Sequence, residues 1–375
     1  MIPEPVLVTG GAGFIGSHLV DALVARGVAV RVLDSLDRQV HGTGVTRPRQ
    51  LQPGVEFLLG PVTDRTLVDR ALRDVRAVVH LAAAVGIGQS MYAIAPYVEA
   101  NAQGTAVLLD AMVNGSHSVS RLVVASSMSI YGEGRYRCTA CGPVAPHLRR
   151  LPQLQARDWE VHCPACGAIA QPVPTDEDKP LLPASVYAVT KRDQEELCLC
   201  VGRTYGIPTV ALRLFNVYGP RQALSNPYTG VAAIFASRLL NGQPPLVFED
   251  GLQSRDFVHV SDVVQAFCLA LEQTSVADAA INIGTGQATT VLEVASMLGQ
   301  MLGVRTPTEI VGKFREGDIR HCVADIERAR RMLGSTPRVR LEQGIADLAS
   351  WAGGEKADDR VGQARAELEA KGLVR

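Results

Sequence analysis

The glycine-rich sequence GGAGFIG, near the amino terminus, constrains the fold more than any other feature of this chain. It follows the apolar run 6–9, which is typical of a buried strand, and precedes residues 17–26, whose apolar side chains recur with helical spacing. Gly10 permits a tight turn, Gly13 lets the backbone approach a pyrophosphate, and Gly16 allows the helix to pack closely on the strand. Because a helix N-terminus stabilises phosphate charge, the pattern predicts a dinucleotide site. The alternative is an ordinary glycine turn.

Asp34 indicates which dinucleotide such a site would take. It directly follows the second predicted strand, where a carboxylate can accept hydrogen bonds from ribose hydroxyls. The same negative charge would repel a 2′-phosphate. We therefore expect NAD rather than NADP as the cofactor.

Strands and helices alternate along most of the chain. The predicted strands are 6–9, 28–33, 55–59, 77–81, 121–125 and 209–214, and the predicted helices are 17–26, 97–113 and 185–204. This order predicts an α/β fold, a Rossmann-type doubly wound parallel sheet with a smaller mixed α/β substrate domain. The expected units are an NAD-binding domain (1–132, 173–217 and about 257–283), an insertion (133–172), a substrate domain (218–256 and 284–353) and a charged helical tail (354–375).

A possible acid–base pair lies in the third predicted helix. Tyr187 and Lys191 stand four positions apart and so share one helix face. A nearby ammonium favours the charged form of a phenol and lowers its pKa, so that tyrosine can act as a general base near neutral pH. Ser126 and Ser127, at the end of a predicted strand, offer hydroxyls for the reacting oxygen. The spacing Y-x-x-x-K occurs often by chance, and its weight comes from following the glycine turn and these serines.

Charge and hydropathy exclude several functional classes. Lys+Arg number 37 and Asp+Glu number 38, for a net charge of −1, which gives no field to attract nucleic acid or an anionic membrane. No run of 18 apolar residues exists to span a bilayer, and no secretion signal is recognisable. The cysteines outside two C-x-x-C pairs follow no ligand spacing and suit a reducing compartment. We expect a cytoplasmic protein with neither nucleic-acid nor membrane partners.

Four cysteines in the insertion form the second strong pattern. They are the pairs Cys138/Cys141 and Cys163/Cys166, each followed by a glycine that suits a tight knuckle. Four thiolates without a spare ligand describe a closed, tetrahedral, structural zinc site, a zinc ribbon. Disulfide pairing and a redox role are the alternatives.

The order of further motifs resembles one known family. The matching strings are GGAGFIG, HLAA (80–83), SSMSIYG (126–132), SVYAVTK ending at Lys191, RLFNVYGP (213–220), RDFVHVSD (255–262), NIGTG (282–286) and REGD (315–318). On these motifs the chain resembles the extended short-chain dehydrogenases/reductases, and among them the NAD-dependent nucleotide-sugar epimerases and dehydratases. The resemblance covers about residues 5–350 apart from the insertion.

The resemblance implies roles for individual residues. Tyr187 corresponds to the catalytic base, Lys191 to its ribose-binding partner, and Ser127 to the residue that hydrogen-bonds the sugar 4-oxygen. The implied cofactor contacts are Gly10, Gly13, Phe14, Ile15, Gly16, Asp34, Leu81, Ala82, Ala83, Asn101, Tyr187 and Lys191. The implied substrate contacts are Ser127, Met128, Ser129, Asn216, Arg255, Arg315 and Asp318.

Two departures from the family pattern bear on function. Pro61 replaces the family's aspartate beside the adenine amine, so adenine recognition is expected to rest on Val62 or Asp64. Family dehydratases have Asp-Glu directly after the serine or threonine, whereas this chain has Met128 and Ser129, which cannot move protons. The resemblance therefore favours epimerisation at C4 through a transient 4-keto sugar over 4,6-dehydration.

Other assignments stay open at this stage. A plain oxidoreductase, a non-catalytic dinucleotide-binding regulator and a zinc-ribbon interaction protein are the rival classes. The run 222–230 and the four-cysteine insertion look most like epimerases of dTDP-L-rhamnose, with UDP-glucose/galactose and ADP-heptose as alternatives. The resemblance further implies a homodimer built on helices 97–113 and 185–204.

Overall fold

The computed structural model describes all residues from Met1 to Arg375. Its strands are β1 (Val6–Thr9), β2 (Val30–Asp34), β3 (Glu56–Leu59), β4 (Ala77–His80), β5 (Arg121–Ser127), β6 (Arg135–Cys138), β7 (Gly142–Val144), β8 (Gln171–Val173), β9 (Thr209–Leu214), β10 (Asn216–Tyr218), β11 (Leu246–Val247), β12 (Ser254–Arg255), β13 (Phe257–His259), β14 (Ala279–Ile283), β15 (Thr289–Thr290), β16 (Glu309–Ile310) and β17 (His321–Cys322). Its α-helices are α1 (Phe14–Val24), α2 (Arg38–His41), α3 (Arg65–Ala71), α4 (Ile87–Ser90), α5 (Ile94–Tyr97), α6 (Gly104–Asn114), α7 (Leu151–Gln155), α8 (Val186–Tyr205), α9 (Val231–Leu240), α10 (Val260–Glu272), α11 (Val291–Met301), α12 (Glu327–Leu333), α13 (Leu341–Gly353) and α14 (Val361–Ala370).

A seven-stranded sheet in the order β14-β9-β5-β4-β1-β2-β3 forms the centre of the molecule. Every neighbouring pair in it is parallel. Strands β1, β4 and β5 are buried along their whole length, as expected for strands covered on both faces. The strand order reverses between β1 and β4, and ligands of such sheets bind beyond the carboxyl ends of the strands at this point. The predicted doubly wound sheet is confirmed.

Helices cover both faces of the sheet. On one face, Leu19 of α1 and Phe267 of α10 belong to a buried cluster with β1 and β9. On the other face, Val68 of α3, Leu108 of α6 and Cys198 of α8 pack on the same strands. No helix is both long and apolar enough to cross a membrane.

Two predicted elements differ from the structure for local reasons. Strand β5 continues through Ser127, because Ser126 and Ser127 pair with Arg213 and Leu214 of β9. The predicted helix 97–113 is divided into α5, a π-helical stretch Val98–Gln103 and α6. Such single π turns are frequent at functional sites.

A smaller mixed α/β unit follows the sheet, as expected. Its core joins α9, α11 and α13 through side chains such as Phe235, Leu298 and Leu348. Short strands complete it: β10 pairs with β13, and β12 lies between β15 and β17. Strand β12 places Ser254 and Arg255 beside His321 and Cys322 of β17.

The insertion and the tail both fold against this smaller unit. The insertion contains an antiparallel sheet in the order β7-β6-β8. It also contains helix α7, which the sequence analysis missed and whose Leu154 is buried. In the tail, the predicted helix is present as α14, and backbone hydrogen bonds join Phe314 to Arg375 and Glu316 to Leu373.

Candidate active site

The glycine turn lies at the carboxyl end of β1, against the loop that follows β4. Gly10 has a φ of +70°, and a Cβ there would lie 2.7 Å from the Ala82 nitrogen. A Cβ on Gly16 would lie 2.2 Å from the Gly10 carbonyl oxygen, so close packing requires glycine at both positions. Gly13 is the N-cap of α1. Because glycine has no side chain, the backbone amides at the N-terminus of this helix have no side-chain cap.

The other predicted cofactor residues surround this turn. Asp34 ends β2, and its carboxylate accepts hydrogen bonds from the Ala12 nitrogen at 3.0 Å and the Leu36 nitrogen at 2.9 Å. Asn101, in the π-helical stretch, hydrogen-bonds both backbone groups of Ala84 and the Thr190 hydroxyl. Phe14 and Ile15 begin α1, and Leu81, Ala82 and Ala83 directly follow β4. The sheet edge thus collects these residues from β1, β2 and β4.

The two residues expected to contact adenine, Val62 and Asp64, also have structural contacts within the fold. Val62 is buried and packs on Gly104 of α6. Asp64 is the N-cap of α3, where its carboxylate accepts the Leu67 amide at 3.0 Å. An aspartate directly before a helix satisfies an otherwise free backbone amide, and the sequence analysis had not considered this capping role for Asp64.

Tyr187 and Ser127 lie at the same edge of the sheet as the turn. Ser127 ends β5, and its oxygen accepts hydrogen bonds from the hydroxyl and the amide of Ser129 at 2.9 and 3.2 Å. Burial raises the pKa of the Tyr187 phenol, while its hydrogen bond with Ser127 acts to lower it. The N-cap Ser185 fixes the start of α8, next to Tyr187, by accepting the Ala188 amide. The Tyr187 amide itself donates to the Ser90 hydroxyl at 3.0 Å.

Lys191 lies on the same helix, with its ammonium among buried acceptors. Its ammonium donates to the Ala125 carbonyl at 2.6 Å and to the Gln194 side chain at 2.7 Å. Burial lowers the pKa of Lys191 to about 8. Acceptors on β5 and α8 thus hold the ammonium in this arrangement.

The sequence analysis missed several residues that support the pair. Gln194 links Lys191 to His80, and Glu195 accepts the Ser126 hydroxyl at 2.5 Å. Gln194 follows Lys191 by three positions and Glu195 by four, so the helical repeat places both on the same face of α8 as Lys191. Ser90 lies in a short helix after β4, and no pattern in the sequence marked it.

Buried His80 makes the folded protein sensitive to acid. Burial, followed by the charge of Lys191, lowers the pKa of His80 to about 3, whereas histidine in an unfolded chain titrates near ~6.5. The stabilisation from neutral His80 is therefore complete above that unfolded value and is lost as the pH falls toward 3, because the unfolded chain takes up the proton first. Between about pH 7 and pH 5, we expect wild type to lose about 2 kcal/mol more unfolding free energy than His80→Gln in urea titrations. Equal losses would contradict this assignment.

The predicted substrate residues lie where the sheet meets the smaller unit. Asn216 begins β10, and its side-chain oxygen is buried without a hydrogen-bond partner. The Arg255 guanidinium donates to the carbonyls of Ser254, Ile319 and Arg320 at 2.7–2.9 Å. Arg315 pairs with Asp318 at 2.8 Å, so three of these residues converge on one segment.

The four cysteines of the insertion form one cluster. All are free thiols, their sulfurs lie within 4.8 Å of one another, and Cys138 and Cys166 are 3.5 Å apart. Sulfurs bound to one zinc ion at about 2.3 Å lie about 3.8 Å apart, whereas a disulfide needs about 2.05 Å. Gly142 and Gly167, which follow the two pairs, have φ values of +80° and +75°, as the knuckle prediction requires. The donor set fits a tetrahedral metal site.

Comparisons with known proteins place these features in one family. The NAD dependent epimerase/dehydratase family matches residues 6–148 and 163–284. A dTDP-L-rhamnose 4-epimerase of Burkholderia thailandensis is 37% identical over 351 residues, covering 93% of this chain and 94% of that protein.

Solved structures agree with this placement. A UDP-glucose 4-epimerase of Thermotoga maritima with UDP-glucose has a TM-score of 0.75 and 31% identity, over 92% of this chain and 97% of that one. A UDP-glucose 4-epimerase of Thermus thermophilus in complex with NAD has a TM-score of 0.73 and 31% identity, over 94% and 99%. Together with the matched family and the glycine turn beside Tyr187 and Ser127, these likenesses show that the chain belongs to the NAD dependent epimerase/dehydratase family.

Proposed function

We propose that the protein is an NAD-dependent epimerase of a nucleotide-diphosphate sugar, which inverts C4 through a transient 4-keto intermediate. The observation that carries the proposal is the placement of Tyr187, at the start of α8, and Ser127, at the end of β5, at the sheet edge that also holds the glycine turn. The relatives that act on dTDP-L-rhamnose and UDP-glucose support the substrate class.

The residues of the site divide the work. Bound NAD would accept and return the C4 hydride, and the space kept free by Gly10 and Gly16 suits its pyrophosphate. Tyr187 takes the proton of the C4 hydroxyl, and Ser127 hydrogen-bonds the same oxygen. Lys191 supplies positive charge near this edge. The unpartnered oxygen of Asn216 supports a polar ligand at the nucleotide end.

The residues after Ser127 argue against dehydration. Met128 is buried, and the Ser129 hydroxyl is hydrogen-bonded to Ser127. Neither side chain can exchange protons at C5 and C6 in the way that a carboxylate pair would. Inversion at C4, with no net oxidation, remains the reaction that the site supports.

A panel of nucleotide sugars tests the proposal. Purified protein would be incubated with dTDP-L-rhamnose, UDP-glucose, UDP-galactose and ADP-heptose, and products followed by NMR. We expect a C4-inverted sugar to appear without accumulation of NADH, first with dTDP-L-rhamnose. A stable 4-keto-6-deoxy product would identify a dehydratase, and accumulated NADH would identify an oxidoreductase.

The proposed cofactor is NAD, and we expect it to stay bound between turnovers. The reaction regenerates it, and the Asp34 carboxylate beside the turn disfavours a 2′-phosphate. Denaturing the purified protein should therefore release close to one equivalent of NAD(H), measured by chromatography. Tighter binding of NADP than of NAD to cofactor-free protein would contradict this assignment.

A structural zinc ion in the cysteine cluster is part of the proposal. Four thiolates would leave the ion no open position for water or substrate, so its role would be to fold the insertion. The proposal also keeps a cytoplasmic location, which eight free cysteines support.

The proposed homodimer rests on apolar side chains exposed on α8 and the neighbouring helical stretch. Leu197 and Tyr205 are 37% and 58% exposed, and Val98 and Val189 are exposed as well. Exposed apolar side chains clustered in this way mark an interaction surface. We expect the mass of a dimer in light scattering and that of a monomer for the double variant Leu197→Glu, Tyr205→Glu. A monomeric wild type at micromolar concentration would refute the dimer.

A further inference from the structure

The segment 313–321, which contains Arg315 and Asp318, lies between the insertion and the tail. On the insertion side, the Trp159 ring packs near Phe314, with centroids 6.4 Å apart. On the tail side, Lys313 pairs with Glu369 at 2.8 Å, in addition to the backbone hydrogen bonds already described. Two parts of the chain outside the central sheet thus fix one substrate-proximal segment.

Arg149 is a buried contact between the insertion and the smaller unit. Its side chain is 2% exposed and binds Glu249, itself 3% exposed, through two hydrogen bonds of 2.9 Å. It also lies 3.5 Å from the Glu133 carboxylate. A further N–H donates to the backbone carbonyl of Asp318 at 3.2 Å. A buried guanidinium therefore joins the insertion both to an acidic cluster and to the segment 313–321.

The same segment holds Arg255 in place. The next two carbonyls after Asp318, those of Ile319 and Arg320, accept the Arg255 guanidinium at 2.7 and 2.9 Å. The Arg320 guanidinium in turn donates to the Glu160 carboxylate of the insertion at 2.7 Å. A path of direct contacts thus runs from the insertion through the backbone of 318–320 to Arg255.

We propose that Arg149 is a positioning residue for the nucleotide-sugar pocket: it fixes the backbone of 318–320 and so orients Arg255 toward the diphosphate. This inference rests on the proposed function, because it assigns a pocket for a nucleotide-diphosphate sugar. The family match stops at residue 148 and resumes at 163, so Arg149 and Glu160 lie in a stretch that the family fold does not require. The insertion therefore supplies affinity for substrate, while the central sheet supplies the chemistry.

The test compares two arginines of the insertion in otherwise identical holoenzyme. Arg149→Lys keeps a positive charge but cannot hold the Glu249 carboxylate and the Asp318 carbonyl together. Arg135→Lys is the matched control, because the Arg135 side chain pairs with Asp176 rather than with a residue of the segment 313–321. The probes are dTDP and UDP, titrated by calorimetry, together with KM and kcat on the sugar that the panel identifies.

For Arg149→Lys we expect the Kd of the nucleoside diphosphate and the KM to rise about tenfold, with kcat within about twofold of wild type. Arg135→Lys should change neither by more than about twofold. Glu160→Gln, at a side chain that is 40% exposed and so tolerant of change, should raise Kd by about threefold. This second variant keeps the test decisive if Arg149→Lys fails to fold.

Three outcomes would overturn the inference. Unchanged Kd and KM in Arg149→Lys, or in Glu160→Gln if the former does not fold, would show that the insertion does not reach the pocket. A lowered thermal midpoint with wild-type Kd would reduce Arg149 to a structural role. A wild-type protein that binds neither diphosphate and converts no nucleotide sugar would refute the proposed function as well, which separates the two failures.

Discussion

Replacing Tyr187 by phenylalanine is expected to lower kcat by about a thousandfold or more while the protein stays folded and loaded with NAD. Positioned acid–base groups contribute about 10²–10⁴-fold to a rate, and no other phenol hydrogen-bonds Ser127. The variant loses only one hydroxyl from a half-buried ring, so packing on Tyr97 remains. Turnover of the sugar identified by the panel, measured with NAD content and thermal midpoint, checks this result.

Tyr205→Phe is the matched control for that experiment. Tyr205 ends the same helix, α8, and is exposed away from the sheet edge. The control should keep wild-type turnover. Substantial residual activity in Tyr187→Phe would show that another group takes the C4 proton and would remove the basis of the proposed mechanism.

Loss of the metal is expected to unfold the insertion and to weaken substrate binding without removing NAD. Structural zinc contributes about 10–16 kcal/mol of binding free energy in small zinc folds, and the cluster Cys138/Cys141/Cys163/Cys166 closes the three-stranded sheet of the insertion. Cys138→Ser should therefore contain no zinc, unfold at a lower temperature and show a raised KM. Elemental analysis, thermal unfolding and kinetics measure these effects.

Cys200→Ser provides the comparison, because Cys200 is an exposed thiol of α8 outside the cluster. It should retain zinc and wild-type kinetics. A chelated protein that stays folded and binds its sugar normally, yet has lost all kcat, would indicate a catalytic metal. Native protein with no metal and with disulfide-bonded cysteines would refute the zinc site itself.

Local patterns in the sequence predicted the centre of the molecule correctly. Gly10 and Gly16 have backbone neighbours so close that only glycine fits, and a turn of this kind between a strand and a helix has few structural solutions. The alternation of buried strands with helices predicted a doubly wound parallel sheet, since parallel strands need helical crossovers. The two C-x-x-C pairs lie close together in the structure. Each pair could be recognised in the sequence because its two cysteines are only three positions apart.

Contacts between distant segments escaped the sequence analysis. No pattern in the sequence of the insertion marks Arg149 as the partner of Glu249, which lies 100 residues further along the chain. The orientation of the Lys191 ammonium depends on which buried acceptors β5 and α8 bring near it. The π-helical turn at Asn101 reflects packing on Ala84 and Thr190. Such features follow from tertiary packing, which periodicity does not report.

The buried carboxylates around Arg149 would make a later deletion of the insertion destabilising. Deleting residues 149–162 would remove Arg149 and Glu160. It would leave Glu249 and Asp250 on the Arg320 guanidinium, and Glu133 on the backbone amides of Arg320 and His321 without the Arg149 guanidinium. Breaking a buried ion pair by removing one partner costs about 3–5 kcal/mol, a large part of the stability of a typical domain. A lineage that gained this insertion would need compensating neutral residues at 133 or 249 before it could lose the insertion again. The buried ion pairs thus make later loss of the insertion destabilising. Descendant proteins are expected to vary the exposed residues of the insertion while they keep Arg149 and its buried partners.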